Sequence, residues 1–563
     1  MDDATRETLL VHALANAVRH ENVPQPGAVL AMVLGKHPGL RARAKELFGA
    51  LPGVIAEVAD LSPDARKIRL AELAPGLHVD ESESCARERT LPPLEGVGPT
   101  GVVMRFAPNP SGPLHLGHAR AALLNDAYVR KYGGKYILRI EDTDPKRVDP
   151  DAYGMVQDDI RWLGVNVTDI VYQSDRLDIY YDYCRRLIAL GGAYVCTCDN
   201  EHFKELRHKM APCPCRKGDV DYNLARFEDM LAGSYYEGEA TVRVKTDLDH
   251  PDPAMRDFPA FRILKSPIHP RVEAEVYPLM NYSVTIDDHL LGVTHVIRGK
   301  DHIANTRRQQ YIFGYFGWEV PFYVHYGRMG IEGVILSTSQ MRQGIREGTY
   351  AGWDDIRLGT LRALARRGIS PDAVRAAVLE IGTGETDIQF SWENLYAKNR
   401  DIVDPVANRY FFVRDPVCLP VAHAPSQVAH PLLHPGSPAL GTRTLPFNGN
   451  VIIPGAEAVP GRFLRCKDLF NICIEDVGGT ICAKYAGESL AEARAVKAPI
   501  VQWLPDGDAA VHCTLHTPEG DQEGLCEAVV AQELGRVVQF ERVGFARVDR
   551  ADTGSVKAYF THR

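Results

Sequence analysis

The sequence predicts a multidomain α/β protein, with a helical N-terminal region, a split nucleotide-binding fold carrying an insertion, and a β-rich C-terminal region. Three observations predict this. At 563 residues the chain is too long for one hydrophobic core. Between residues 101 and 141 the apolar pattern switches from strand to helix and back, as in a βαβ unit. Beyond about residue 400 short apolar runs alternate with Pro and Gly turns, as in β-barrel domains.

Residues 1–95 read as helical. Leu9, Leu10, Ala13, Leu14 and Val18 form an amphipathic repeat, and Leu40 to Leu51 continue it more weakly. No catalytic constellation lies there. Pro92 to Gly101 reads as a linker into the next domain.

Gly101 to Ala107 then reads as a short buried strand, and His118 to Lys131 as a helix carrying Ala121, Leu124 and Tyr128 at helical spacing. Gly133 and Gly134 stop that helix, and Lys135 to Glu141 form a second strand. The ligand site of such a unit lies beyond the carboxyl end of its first strand. The segment at that place is Arg105-Phe-Ala-Pro-Asn-Pro-Ser-Gly-Pro-Leu-His-Leu-Gly-His118. N–H groups at the helix start attract phosphate, and His115 and His118, three apart near one face of the first turn, can donate to a phosphoryl group gaining charge. Gly117 has no side chain, so an adenine ring can approach the backbone there. The patterns G-x-G-x-x-G and G-x-x-x-x-G-K-[ST] are absent, which argues against hydride transfer and ordinary kinase or GTPase chemistry. The structural alternative is a Pro/Gly-rich turn holding two surface histidines. The flanking strand, the helix and Arg139-Ile-Glu-Asp-Thr-Asp-Pro145 weigh against it.

An insertion over about 195–272 separates the two halves of the fold. In the second half Thr294 to Gly299 is strand-like, Asp301 to Phe316 helix-like and Val320 to Tyr326 strand-like. Within the insertion Cys196-Thr-Cys198 and Cys213-Pro-Cys215 form two C-x-C pairs with fourteen residues between them. Four thiolates suit a tetrahedral structural Zn2+ in a segment with little core of its own. Four reduced cysteines in a hairpin are the alternative. The other eight cysteines, Cys466, Cys473 and Cys482 among them, show no metal spacing and read as core residues. Asp287 and Asp288 invite a metal, but neighbouring residues on a strand face opposite ways, so a turn or helix-cap role is expected.

Residues 350–385 read as helical and hold Arg357, Arg362, Arg366 and Arg367, either a nucleic-acid contact or a solvated helix face. Arg409 to Arg414, Val451 to Pro454 and Arg536 to Phe540 are strand candidates of the β-rich region.

With 45% hydrophobic and 24% charged residues the composition is that of an ordinary soluble protein. No apolar run approaches 18 residues, and the first residues are acidic rather than basic and apolar, so a cytoplasmic protein with no membrane partner is expected. Twelve cysteines in a chain of this size suit reduced thiols or metal ligands better than a disulfide scaffold. The net charge of −9 does not exclude a nucleic-acid partner, because the distribution of charge matters more than its sum.

Arg105 to His118 resembles the HIGH signature of class I aminoacyl-tRNA synthetases, and Arg105 to Pro145 closely resembles the glutamyl- and glutaminyl-tRNA synthetases. The similarity extends across nearly the whole chain and is best in the archaeal and eukaryotic branch. It implies a class I Rossmann-like catalytic domain over 101–345 with its insertion on the acceptor-stem side, a helical stem-contact region over 346–398, and anticodon-binding β-barrels over 399–563. The substrates implied are ATP with Mg2+, glutamate and tRNA(Glu), with tRNA(Gln) as a second acceptor. Zinc-binding inserts with similar cysteine pairs occur in this family.

The resemblance also assigns residues. Pro108, Asn109, Pro110, Ser111, Gly112, Pro113, Leu114, His115, Leu116, Gly117 and His118 form the HIGH region, with His115, Gly117 and His118 catalytic. Arg105 resembles the arginine that contacts the substrate carboxylate. Ser111 and Glu141 resemble groups that hold the amino-acid moiety, and Tyr277 resembles a pocket wall, with Asn281 beside it. Arg298, in Gly292-Val-Thr-His-Val-Ile-Arg-Gly-Lys-Asp-His302, stands where glutamyl enzymes carry an arginine and glutaminyl enzymes usually a small neutral residue. A second guanidinium favours a carboxylate over an amide. A strand-end surface salt bridge is the alternative reading of Arg298.

The second class signature, KMSKS, is matched by Val334-Ile-Leu-Ser-Thr-Ser-Gln-Met-Arg342, read as a mobile loop in which Ser337, Thr338 and Ser339 handle the triphosphate. Ser337 holds the serine position, but Thr338 stands where the catalytic lysine is expected. Archaeal glutamyl enzymes often follow Leu-Ser-Thr-Ser with lysine, and here Gln340 replaces it. Losing one positioned cation removes on the order of 2 to 4 kcal/mol of transition-state stabilisation, and Arg342 or Arg346 is left to supply the charge. Three rivals to a glutamyl enzyme remain: a glutaminyl enzyme, a small-molecule nucleotidyltransferase, and a non-catalytic tRNA-binding relative.

Overall fold

The computed structural model describes residues 2–563 apart from 21–23, 25 and 75–90. It divides into two compact units, Met1–Thr90 and Leu91–Arg563.

The first unit is built of helices at Asp3–His20, Pro26–Lys36, Ala44–Ala59 and Pro63–Leu73. Leu9, Leu10, Ala13 and Leu14 are buried against Val29, Val33, Leu47, Leu51, Val54 and Val58. Leu40 belongs not to an α-helix but to a 3₁₀ turn, Pro38–Arg43, that leads into the third helix. Ser62 caps the fourth helix by accepting the Ala65 N–H at 3.3 Å, with Pro63 at its first position, where a missing N–H costs nothing. Arg66 Nε donates to the Val58 carbonyl at 2.9 Å, satisfying the end of the preceding helix.

In the second unit, Leu91, Leu94 and Val97 pack against the nucleotide-binding core, so residues 91–95 lie with this unit and not with the helices before them. Strands Val102–Phe106 and Gly134–Ile140 run parallel, joined by the helix Leu116–Tyr132, and Asp169–Tyr172 adds a third parallel strand. Gly133 ends the helix with a φ of 74°, and a Cβ at Gly134 would lie 2.0 Å from the Val102 carbonyl oxygen, so only glycine fits that turn. The second half supplies parallel strands His295–Gly299 and Phe322–Tyr326 around the helix Ile303–Phe316. Thr294 ties the halves together: its N–H donates to the Val103 carbonyl at 2.9 Å, and its Oγ1 accepts the Val103 N–H at 2.9 Å.

Between the halves lies an antiparallel four-stranded sheet, Ala193–Cys196, Thr241–Val244, Pro259–Ile263 and Val276–Pro278. The expected helical span 350–385 is two helices, Leu361–Arg366 and Pro371–Ile381, interrupted at Gly368, while 350–359 is not helical.

The C-terminal region holds two seven-stranded, barrel-like sheets, each closed by one short segment. Arg409–Arg414, expected as one strand, breaks at buried Phe411. Arg409–Tyr410 pairs with Val537–Phe540 at one edge, and Phe412–Arg414 pairs with Gly520–Glu527 at the other. The second sheet repeats the device: Ile500–Val501 pairs with Phe463–Cys466, Leu504–Pro505 pairs with Asn450–Pro454, and fully buried Trp503 lies between. Serving both edges with one segment removes exposed strand edges.

Candidate active site

The HIGH turn is fixed by neighbouring backbone before any side chain acts. Glu141 N–H donates to the Pro108 carbonyl at 3.0 Å, Asp149 N–H to the Pro110 carbonyl at 2.9 Å, and Asn109 Nδ2 to the Glu141 carbonyl at 2.8 Å. Leu114 and Leu116 bracket a short antiparallel bridge to residues 359–361, and Leu114 N–H also donates to Asp159 Oδ2 at 2.7 Å. Asp159 is buried, and its burial raises its pKa to about 7.

His115 stands at the N-terminus of the Leu116–Tyr132 helix, and His118 one turn later accepts the His115 N–H on Nδ1 at 3.3 Å. Their rings stack with centroids 3.7 Å apart. Desolvation lowers the pKa of His118 to about 4, and desolvation with the neighbouring His118 lowers that of His115 to about 2. Both imidazoles are therefore neutral near pH 7, and His115 Nδ1 is buried without a partner. A Cβ on Gly117 would lie 2.9 Å from His115 Cε1. The expected role of Gly117, a floor for adenine, is thus supplemented: its bare backbone also makes room for the His115 ring.

Beside this turn lies a buried charged group. Arg105 and Arg139, on adjacent parallel strands, meet Asp288 Oδ1 at 3.2 and 2.6 Å, and Arg139 also reaches Glu141 Oε1 at 3.1 Å. Burial works against the Asp288 charge, but Arg105 and Arg139 hold its pKa below the usual carboxylate value. Asp288 and Asp287 are neither turn nor cap residues. Both are buried in the helix Met280–Leu290, where adjacent residues diverge by about a third of a turn. Asp287 takes Arg176, Gln173 and Tyr180 at 2.7, 3.0 and 2.7 Å. Every polar partner is thus an arginine, amide or phenol, which corrects the cap reading and leaves no metal-like donor set here.

Arg298 joins this group from the second half of the fold. It is 8% exposed and donates to Thr306 Oγ1 at 2.6 Å and Gln309 Oε1 at 2.9 Å, with its guanidinium over the Tyr323 ring. No carboxylate among the described residues lies within ion-pair distance, and its buried Nε has no partner. Burial and the nearby Arg105 lower its pKa to about 10. The surface salt-bridge reading is therefore excluded. Three guanidinium groups, Arg105, Arg139 and Arg298, face two carboxylates, Asp288 and Glu141.

The remaining expected residues make their contacts outside this charged group. Ser111 offers its carbonyl to Arg342. Asn281 Nδ2 donates to Asn305 Oδ1 at 3.2 Å, and its own Oδ1 is buried and unpartnered. Tyr277 is fully buried in the insertion sheet, with its hydroxyl on the Ala274 carbonyl and its ring against His269, which reaches the Asp142 carbonyl at 2.8 Å. The expected loop at 334–342 becomes a helix from Thr338 to Arg346, capped by Ser337.

Sequence reasoning gave Asp288 a turn or cap role and assigned no role to Arg139 or Asp159. Arg139 was legible: residues two apart on a strand share a face, so it must lie beside Glu141.

The four expected metal cysteines do converge, their Sγ atoms all lying within 4.8 Å of one another. Zn–S bonds of about 2.3 Å in a tetrahedron put sulfurs about 3.8 Å apart. Cys196 and Cys213 stand at 3.9 Å and Cys198 and Cys215 at 3.7 Å, so the donor set fits that ion. Of the other cysteines, Cys466 is buried as expected, while Cys473 and Cys482 are half-buried and Cys418 is exposed. Cys85 lies outside the described residues.

The arginines at 357–367 are engaged in ion pairs and hydrogen bonds, with Arg357 exposed and Arg367 buried. Arg357 pairs with Asp355 at 2.6 Å, Arg362 with Asp158 and Asp159 at 3.1 and 3.3 Å, and Arg366 with Asp354 at 3.0 Å. Arg367 donates to the Thr561 carbonyl at 2.7 Å. A cleft of about 1440 Å³, apart from the HIGH turn, lies between this region and the C-terminal sheets, lined by Arg367, Trp392, Tyr396, Arg414 and Arg542 among others.

Residues 101–405 match the catalytic-domain model of the tRNA synthetases class I (E and Q), and residues 407–486 and 500–549 match the two anti-codon binding domain models of the same group. The chain is 61% identical to the glutamate–tRNA ligase of Methanoculleus marisnigri, with all of both chains covered. It is 59% identical to that of Methanocorpusculum labreanum, again over the whole of both, and 48% identical to that of Pyrococcus abyssi over 98% of this chain and 99% of the relative.

Proposed function

We propose that this chain, which belongs to the class I tRNA synthetases of the E and Q group, is a glutamate–tRNA ligase. It activates glutamate with ATP, accompanied by Mg2+, and transfers the glutamyl group to the terminal adenosine of tRNA(Glu).

The observation that carries the choice of glutamate is Arg298. A buried guanidinium without a carboxylate partner, in a group with one more positive than negative residue, is completed by an anion and not by an amide. A glutamate side-chain carboxylate supplies it, whereas glutamine leaves the guanidinium uncompensated. Arg105, Ser111 and Glu141 hold the amino-acid moiety, with Tyr277 and Asn281 toward the insertion.

Activation breaks no bond within the protein. An α-carboxylate oxygen of glutamate attacks the α-phosphorus, and pyrophosphate departs with the electron pair of the broken P–O bond. His115 and His118, held neutral by burial, donate to the phosphoryl oxygens as charge develops, and Ser337, Thr338 and Ser339 handle the β- and γ-phosphates. Positioning and electrostatics supply the rate.

The barrel-like sheets read the anticodon, and the arginine- and aromatic-lined cleft offers cationic and stacking contacts to RNA. Cys196, Cys198, Cys213 and Cys215 hold one structural Zn2+, which fastens a cluster containing little besides Tyr194 and Phe203. No helix among the described residues is long and apolar enough to cross a membrane, and the protein acts in the cytoplasm.

Aminoacylation of purified tRNA(Glu) and tRNA(Gln) with glutamate and with glutamine tests this reading. Glutamate is expected on tRNA(Glu), and its appearance on tRNA(Gln) as well would define a broader acceptor range. Transfer of glutamate to neither, by folded protein, contradicts it.

A further inference from the structure

The segment that should carry a catalytic lysine has none. Thr338 and Gln340 occupy the two places where a lysine is expected, and the cations of residues 334–346 are Arg342 and Arg346. The structure separates these two. Gln340 and Arg346 are exposed, whereas Arg342 is turned inward, with its side chain 28% exposed. Arg342 Nη2 donates to the carbonyl of Ser111 in the HIGH turn and to Asp149 Oδ2 at 2.9 Å. Asp149 is itself bound to that turn through Pro110. Thr338 fills the other side of the contact, its Cγ2 lying 2.7 Å from where a Gly112 Cβ would stand. Among the described residues, Arg342 is thus the cation of this segment that touches the turn carrying His115 and His118.

We propose that Arg342 is the catalytic cation of this segment. It rests as a latch between Ser111 and Asp149. When ATP binds, its guanidinium leaves the Asp149 carboxylate for non-bridging oxygens of the β- and γ-phosphates. There it neutralises charge on the pyrophosphate as the α-phosphorus bond to the bridging oxygen breaks and the bond to the glutamate carboxylate oxygen forms. The guanidinium neither gains nor loses a proton. A planar fork meets phosphate oxygens in pairs, so an arginine reaching from one helical turn further can do the work of the missing lysine. The inference rests on the ligase reading above.

The test is glutamate-dependent ATP–pyrophosphate exchange in the presence of tRNA(Glu). At saturating ATP, Arg342→Ala should lower kcat about 10²-fold, the usual effect of deleting one preorganised donor to a developing anion, with the KM for glutamate unchanged. Arg342→Lys should fall between it and the wild type. Adding Gln340→Lys to Arg342→Ala should restore most of the lost rate by returning a cation to the segment, and a purely structural latch would not be repaired that way. Asp149→Asn, which releases the guanidinium, should lower the KM for ATP. Exchange at the wild-type rate in Arg342→Ala overturns the proposal. So does a loss repaired by neither Arg342→Lys nor Gln340→Lys in protein with native circular dichroism. Absence of glutamate-dependent exchange in the wild type instead overturns the ligase reading itself, and this inference with it.

Discussion

Arg139 Nη1 lies 2.6 Å from Asp288 Oδ1, joining a parallel strand of the first half of the nucleotide-binding fold to the helix that precedes the second half. Both side chains are almost completely buried, and Arg105 shares the same oxygen. Asp288→Asn removes the charge that compensates two buried guanidinium groups. Breaking a buried ion pair from one side costs about 3 to 5 kcal/mol. The variant should unfold at markedly lower denaturant or temperature, and glutamate should bind more weakly. An unchanged unfolding midpoint would contradict the account of this group.

The pH dependence of the HIGH region follows from two opposite shifts. His118 and His115 have folded pKa values depressed to about 4 and about 2, below the ordinary histidine value of about 6.5. Their contribution to stability is complete above about pH 6.5 and is lost as pH falls through the acid range. Asp159 is raised to about 7, so its contribution is present in acid and is lost as pH rises through about 7. Asp159→Asn cannot ionise, so it should compare more favourably with the wild type at pH 8 than at pH 6 in denaturant unfolding. An equal difference at both values would show that Asp159 ionises normally.

Gly117→Ala places a methyl group where the His115 ring lies. The helix should tolerate alanine, so the fold should persist by circular dichroism. Displacing His115 should slow adenylate formation on the order of 10²-fold, the scale of a misplaced catalytic group. Wild-type exchange kinetics would show that the ring is free to move without consequence.

Metal analysis of the purified chain should find one zinc per molecule, lost in Cys213→Ser. Stripping the metal should make the segment around residues 196–231 sensitive to protease while the HIGH turn stays protected. Unchanged protease resistance of the metal-free protein would contradict a structural role for the ion.

Much of this was legible in the sequence because local pattern and local chemistry agree there. The strand–helix–strand run at 101–141 announces itself by apolar period and by the Gly133-Gly134 stop, and the cysteine pairs by their spacing. What could not be read depends on contacts between distant segments. Asp288 looks like half of an acidic pair until the helix brings it against Arg105 and Arg139, residues 183 and 149 positions away. Arg362 looks like part of a basic patch until Asp158, 204 positions away, meets it. The closure of both C-terminal sheets by single split segments was hidden because each piece is only two or three residues long, too short for a periodic signal.

The central claim, that Arg298 selects a carboxylate, is tested most directly by comparing glutamate with glutamine in ATP–pyrophosphate exchange for the wild type and for Arg298→Gln, with tRNA(Glu) present. Removing one side of a buried charge contact costs about 2 to 5 kcal/mol, so the preference for glutamate in kcat/KM should fall in the variant by on the order of 10²-fold or more. A wild type that activates both amino acids equally, or a variant that keeps the full preference for glutamate, would contradict the account.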